Sequence, residues 1–330
     1  MTERFLLVEA DDANLYPFTD TRPRYALPIA NTPLLFRQIG SAFQGGVSSL
    51  VLLTPPKHVD AVVDLIGTLP AAQRKRIRVR AGGVVAAKPG RAFEPPDWLK
   101  VVYPWHVLTA SLTCLRALRV KPARGVKSIV HRTARLEGPI AIGRRVVIED
   151  HVVLKGPLVI GDGTVIRSGV YVEGPALIGS NCHLGPHCYV SESCLGESCA
   201  AEQNMQVVSS VFFEHVAFGH FGYIGHSVCA EWSGGGGGTV LFDRPLREPS
   251  VKVRVRGKLI DTGLPQLGPM VGAHVTSGVS AVLMPGIILG PNAAVGPGAV
   301  ADRNVPASQM LFNDQKAVLM PCRRGVGRRP

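Results

Sequence analysis

The stretch FGHFGYIGHS, residues 218 to 227, sets imidazoles and a phenol between two large apolar residues, Phe218 and Ile224, that stand six apart. A histidine titrates near neutral pH, which makes His220 a candidate general base. His215 and His226 read as solvent-side turn residues. Further on, Lys252, Arg254, Arg256 and Lys258 alternate through VKVRVRGK, with Val251, Val253 and Val255 between them. On one extended strand that pattern places all four cations on one face. The face is either a phosphate-neutralising surface or the solvated side of a hairpin in an insertion. The glycine run at 234–238 is either a loop that lets a phosphate approach the backbone or a hinge.

The wall that must carry these residues is legible as a repeat. Stepping by six from Val130, the chain reads Leu136, Ile142, Ile148, Leu154, Ile160, Ile166, Val172, Ile178, Leu184 and Val190. A helix would favour a period of 3.6 and a half-buried strand a period of 2. A strict six predicts a coil of short strands with a corner every sixth residue, three faces making one turn of about eighteen residues. The phase slips by one at Leu195, resumes as Phe212, Phe218, Ile224 and Ala230, and returns at Val271, Ser277, Leu283, Leu289, Val295 and Ala301. The interrupting segment is expected to project from the coil, where function concentrates. Cys182, His183, His187 and Cys188 look metal-like at first sight. The inward and outward alternation within the repeat spreads them, so no metal site is expected.

The first third alternates strand and helix, which argues for a parallel α/β layer. FLLVEADD reads as a buried strand, TPLLFRQIGSAFQGG as a helix with Thr32 as N-cap and Pro33 at its first position, and VSSLVLLT as a second strand. Helices are also expected from about residue 57 to 67 and over PWHVLTASLTCLRALRV.

Composition limits the alternatives. With 37 glycines, 26 prolines and only 6% aromatic residues, the chain is turn-rich rather than a helical bundle. No apolar run reaches membrane-spanning length and the first residues lack a secretory signal, so a soluble cytoplasmic protein with no membrane partner is expected. Seven scattered cysteines, none at CxxC spacing, read as free thiols. The net charge of +12 admits phosphate-bearing ligands. It comes without aromatic interleaving or a nucleic-acid motif, and no nucleic-acid partner is expected.

A resemblance then emerges. LYPFTDTRPRYALPIANTPLL is similar to a segment of sugar-nucleotide pyrophosphorylases. GHFGYIGHS, followed by EW, GGGGGT and VKVRVRGKLIDTG, resembles the acetyltransferase half of bifunctional UDP-N-acetylglucosamine pyrophosphorylase/glucosamine-1-phosphate N-acetyltransferases. The resemblance implies a reduced α/β nucleotidyltransferase-like domain over 1–122 and a left-handed parallel β-helix over 123–310. It also implies an insertion at 233–266 and a basic tail at 311–330. It implies an acetyl-CoA-dependent N-acetyltransferase acting on an amino-sugar phosphate or sugar nucleotide, assembled as a homotrimer. His220 is the implied base, with Tyr223, Thr239, Lys252 and Lys258 toward the sugar phosphate and Arg254, Arg256 and Ser277 toward CoA. Two departures accompany it. EADDANL puts Asp11 and Asp12 where the family has a glycine-rich phosphate loop, and Arg24 replaces its lysine. The nucleotidyltransferase half therefore reads as vestigial, with Mg²⁺ required only if that half is active. GTVLFD lacks the family's asparagine and offers Thr239. A catalytically inactive ligand-binding or scaffolding homologue, and a sugar-1-phosphate nucleotidyltransferase, are the alternative functions.

Overall fold

The computed structural model describes residues 3–8, 13–82 and 92–314. Asp11 and Asp12, the start of the basic loop at residue 88, and the arginines of the tail lie outside the described residues.

The chain opens with three parallel strands, β1 (Glu3–Leu7), β2 (Ser49–Thr54) and β3 (Ile77–Ala81), with β2 in the centre. Helices α1 (Leu34–Gln44) and α2 (Val59–Gly67) cover the sheet, burying Leu35, Ile39, Val62 and Ile66 against Leu6, Leu50 and Leu52. The expected α/β layer is present with one correction. Thr32 and Pro33 pair with Ile29 and Pro28 in a two-stranded ribbon, so α1 starts at Leu34 and Thr32 caps nothing. After a single helical turn at Ala71–Arg74, a longer helix, α3 (Trp105–Arg116), precedes the repeat.

From Ala123 to Leu311 the chain winds into three parallel sheets of ten, nine and nine strands. The aliphatics at six-residue spacing point inward and stack. Leu154, Ile166, Val172, Leu184 and Val190 are fully buried in one continuous core. Early turns take eighteen residues, as in Val147 opposite Val165, middle ones seventeen, as in Ile178 opposite Leu195, and the turns after the insertion eighteen again, as in Val282 opposite Val300. One corner accounts for the phase slip. Turns with Gly156–Pro157 and Gly174–Pro175 at that corner give way to turns with a single residue there, Glu192, Ser209 and His226, each at positive φ of 43 to 45°. Cys229, not the expected Ala230, is consequently the inward residue that continues Phe212. Ala230 faces outward, against the first third of the chain.

The shortened corner is closed by a buried serine ladder. The Ser193 hydroxyl donates to the Ser191 carbonyl and accepts the Ser210 N–H at 3.0 Å. The Ser210 hydroxyl in turn donates to the Val208 carbonyl and accepts the Ser227 N–H at 3.1 Å.

Two expectations about the insertion are corrected. Gly234–Gly235 and Val240–Leu241 are rungs of the coil, paired to both neighbours, so the chain leaves it only from 242 to 269. The glycines are there for space. A Cβ on Gly234 would lie 2.0 Å from the Ala217 carbonyl oxygen, and one on Gly235 2.3 Å from the Ser277 hydroxyl. Nor does the insertion project freely. Its hairpin, Lys252–Val255 with Lys258–Asp261, lies down so that Val251, Val253 and Val255 join a second core. That core is shared between the outer face of one solenoid sheet and Leu15, Phe18, Leu27 and α3. Arg22 fastens the same interface, paired with Glu214 and with Glu231 (3.0 Å), its guanidinium 5.1 Å from the Phe213 ring centre. No helix among the described residues is long and apolar enough to cross a membrane.

Ser210→Ala removes the hydroxyl that both receives and passes on a bond in the ladder, orphaning the buried Ser227 N–H. We expect a loss of about 1–3 kcal/mol, read as a lowered denaturant midpoint with an unchanged m-value.

Candidate active site at two vertices of the coil

Strand Tyr223–Gly225 lies between two corners of one face, and each corner carries a histidine. His220 stands at the vertex opposite the sheet that the first third covers. Its side chain is exposed. The ring nitrogens have no hydrogen-bond partner among the described residues, while its main-chain carbonyl accepts the Gly238 N–H at 2.7 Å. The imidazole lies against the next rung at Gly237, where a Cβ would come within 3.2 Å of its Cδ2. An open, unengaged imidazole beside bare backbone can take a proton from a molecule docked at that edge.

The other corner is organised around a carboxylate that sequence reasoning passed over. Asp243 is 2% exposed. It accepts a hydrogen bond from His226 Nδ1 at 2.7 Å and from the Tyr223 hydroxyl at 3.1 Å. Burial alone would raise its pKa, but the bonds and charge supplied by His226, with the Tyr223 bond, outweigh that and hold it below the usual carboxylate range. Tyr223 is pushed up to about 12, first by burial and then by the charge of Asp243. Gly225 is required beneath this network, because a Cβ there would meet both Asp243 Oδ2 and the Tyr223 hydroxyl at 2.5 Å. The Tyr223 phenol is thus committed to the His226 corner. The signal for Asp243 was present as the last letter of GTVLFD, an acid directly after a run of inward and outward apolar residues.

The remaining candidates are dispersed. The Thr239 hydroxyl turns into the wall, donating to the Gly236 carbonyl at 2.8 Å and lying 3.4 Å from the Ser277 hydroxyl. The threonine is therefore not presented to a substrate in this chain. The four cations do not share one strand face, because the chain reverses at Arg256 and Gly257, both at positive φ, and Lys258 pairs back with Val255. Lys252 is bonded to Glu248 (2.9 Å) and Arg254 to the Gly257 carbonyl (3.0 Å). Arg254 and Arg256 border a cavity of about 380 Å³ with Tyr16, Asp20 and Asn304. The whole hairpin rests over the sheet opposite the His220 vertex, so within one chain these cations do not meet that histidine. Ser277 borders a shallow depression of about 580 Å³ with His215, Trp232 and the glycine rung. There Trp232 stacks on His215 at 3.9 Å. Among the described residues no three His, Cys, Asp or Glu side chains gather as a metal cluster.

Comparison with known proteins finds matches to parts of this chain. Residues 157–192 match the bacterial transferase hexapeptide (six repeats) family. The solenoid is a hexapeptide transferase fold, which is a left-handed β-helix. The suspected relationship to bifunctional nucleotidyltransferase/acetyltransferases is also borne out. A bifunctional sugar-1-phosphate nucleotidylyltransferase/acetyltransferase from Sulfurisphaera tokodaii is 37% identical over 122 residues, 37% of this chain and 30% of that protein. The bifunctional protein GlmU of Methanococcus maripaludis strain S2 is 30% identical over 222 residues, 67% of this chain and 49% of that protein. The matches thus span less than half the length of these two curated relatives. Among solved structures, a hexapeptide transferase family protein from Anaplasma phagocytophilum aligns with 62% of this chain and 81% of its own at 17% identity, with a TM-score of 0.23.

The sign of the Asp243 shift makes the network testable. A carboxyl held below its unfolded value contributes stability that is complete above that value, about 3.9, and lost as pH falls through the folded one. Asp243→Asn is expected to cost about 1–3 kcal/mol at neutral pH. The gap from wild type should close below about pH 4, as read from denaturant midpoints across pH.

Proposed function

We propose that this chain is an acetyl-CoA-dependent N-acetyltransferase acting on an amino-sugar phosphate or a sugar nucleotide, and that it works as a homotrimer. The observation that supports this best is the open His220 imidazole on a vertex of a hexapeptide coil. In the proposed reaction the substrate amine attacks the thioester carbonyl and His220 removes the amine proton as the new C–N bond forms. The tetrahedral intermediate then collapses by breaking the C–S bond, and the proton passes from the imidazolium to the departing CoA sulfur. A single vertex has no facing wall, so a neighbouring copy completes the cleft. The depression beside Trp232, bordered by Ser277, lies on the sheet that leads into the vertex and suits the CoA side. Tyr223, bonded to Asp243 at the other corner, is assigned no direct role at the His220 vertex. The basic hairpin serves the site only if a neighbouring copy brings it there.

The relatives are named for two activities, and the proposal assigns only one to this chain. Asp11 and Asp12, where phosphate would have to bind, repel a triphosphate, so the first domain is proposed to be vestigial and Mg²⁺ to matter only if it is active. The proposed division is 1–122, 123–310 and 311–330. The inward Thr239 hydroxyl favours a second reading, a ligand-binding homologue without turnover.

Release of CoA thiol from acetyl-CoA and glucosamine 1-phosphate tests the assignment. Wild type should turn over, and His220→Ala should lose about 10²- to 10⁴-fold in kcat with KM little changed. Absence of thiol release from wild type with amino-sugar phosphates would leave the binding-only reading. Sedimentation should give the mass of three copies.

A further inference from the structure

Between α3 and the shortened corners lies a cavity of about 250 Å³. Its solenoid wall is the column Glu192, Ser209 and His226, stacked on successive rungs about 4.8 Å apart. Its helical wall is Thr109, Thr113 and Arg116, at spacings that share one face of α3. Leu264, Pro265 and Gln266, from the returning limb of the insertion, close it.

The His226 ring is 19% exposed and is held by the buried Asp243 carboxylate through Nδ1. That bond commits Nδ1 to Asp243 and fixes the orientation of the ring, leaving Nε2 for a ligand. The corner itself does not need this device, since Ser209 and Glu192 turn the chain at the same φ without any buried carboxylate. Nor does the insertion need it. Its root is already pinned by the Leu267 N–H on the Asp243 carbonyl (2.8 Å) and the Gly268 N–H on the His226 carbonyl (2.9 Å). Arg116, at the cavity rim, makes no ion pair or hydrogen bond among the described residues. Glu192 accepts the Ser209 hydroxyl at 3.3 Å and makes its end of the cavity acidic.

We infer that this cavity is a second small-molecule site, separate from the His220 vertex, that takes a small hydroxylated anion. A ligand oxygen hydrogen-bonds His226 Nε2, and the anionic group pairs with Arg116. Glu192 sets the direction, repelling the anion toward Arg116 while accepting further hydroxyls. The volume suits a single sugar rather than a nucleotide. Sugar phosphates and sugar acids share this chemistry. The inference does not depend on the acetyl-transfer proposal, and failure of thiol release would leave it standing.

The test is carbethoxylation of the full chain by diethyl pyrocarbonate, resolved residue by residue by mass spectrometry. It is run with glucose 1-phosphate, gluconate or inorganic phosphate present. We expect glucose 1-phosphate or gluconate, whichever matches the anion, to slow labelling of His226 saturably. Inorganic phosphate alone should not protect. In Arg116→Met, a change at an exposed position, the protecting concentration should rise about tenfold, the worth of one charge-assisted bond. No protection by either sugar at about 10 mM, which would mean affinity weaker than that, overturns the inference. So does protection equal to that by inorganic phosphate, or protection of His226 untouched by Arg116→Met.

Discussion

Everything in the second part of this chain follows from one constraint: whatever occupies a position in one turn lies directly beneath its counterpart in the next. Main-chain bonds between rungs hold the spacing, and the inward aliphatics fill the prism at each level. A residue type chosen at one corner is therefore chosen for a column. Glu192, Ser209 and His226 form one column and Ser193, Ser210 and Ser227 another, and both exist because one corner shed a residue. The two histidines sit at opposite ends of a single short strand for the same reason.

The three faces of the prism have different fates. One is covered by α3, by the segment around Phe18 and by the hairpin of the insertion, sharing a core that is continuous across what composition would divide into separate domains. The vertex opposite that covered face is left open, and His220 occupies it. Covering one side thus selects which edge can meet a second molecule. Arg22 strengthens this arrangement by crossing from the first third to two glutamates of the coil.

The repeat was legible because a six-residue period has no competing explanation, and the phase slip at Leu195 marked the shortened corner without revealing its cause. Thr32 misled because its capping chemistry competed with a ribbon pairing that only the tertiary fold decides. VKVRVRGK misled because Arg256 and Gly257 can continue a strand or reverse it, and here they reverse it. The run of glycines looked like a loop. It is wall, because the carbonyl of Ala217 and the hydroxyl of Ser277 occupy the space where side chains would stand. Asp243 could not be foreseen as a partner of His226, since seventeen residues of coil have to be wound before the two are adjacent.

The serines of the shortened corner bear on how this protein comes apart. The Ser193 and Ser210 hydroxyls are each at once the donor to their own level and the acceptor for the level above, so detaching one strands an amide on its neighbour in a dry interior. Rungs fastened this way cannot fray singly. Where other repeat coils are free to unwind level by level from an end, these three levels behave as a clasp that holds or fails as a unit.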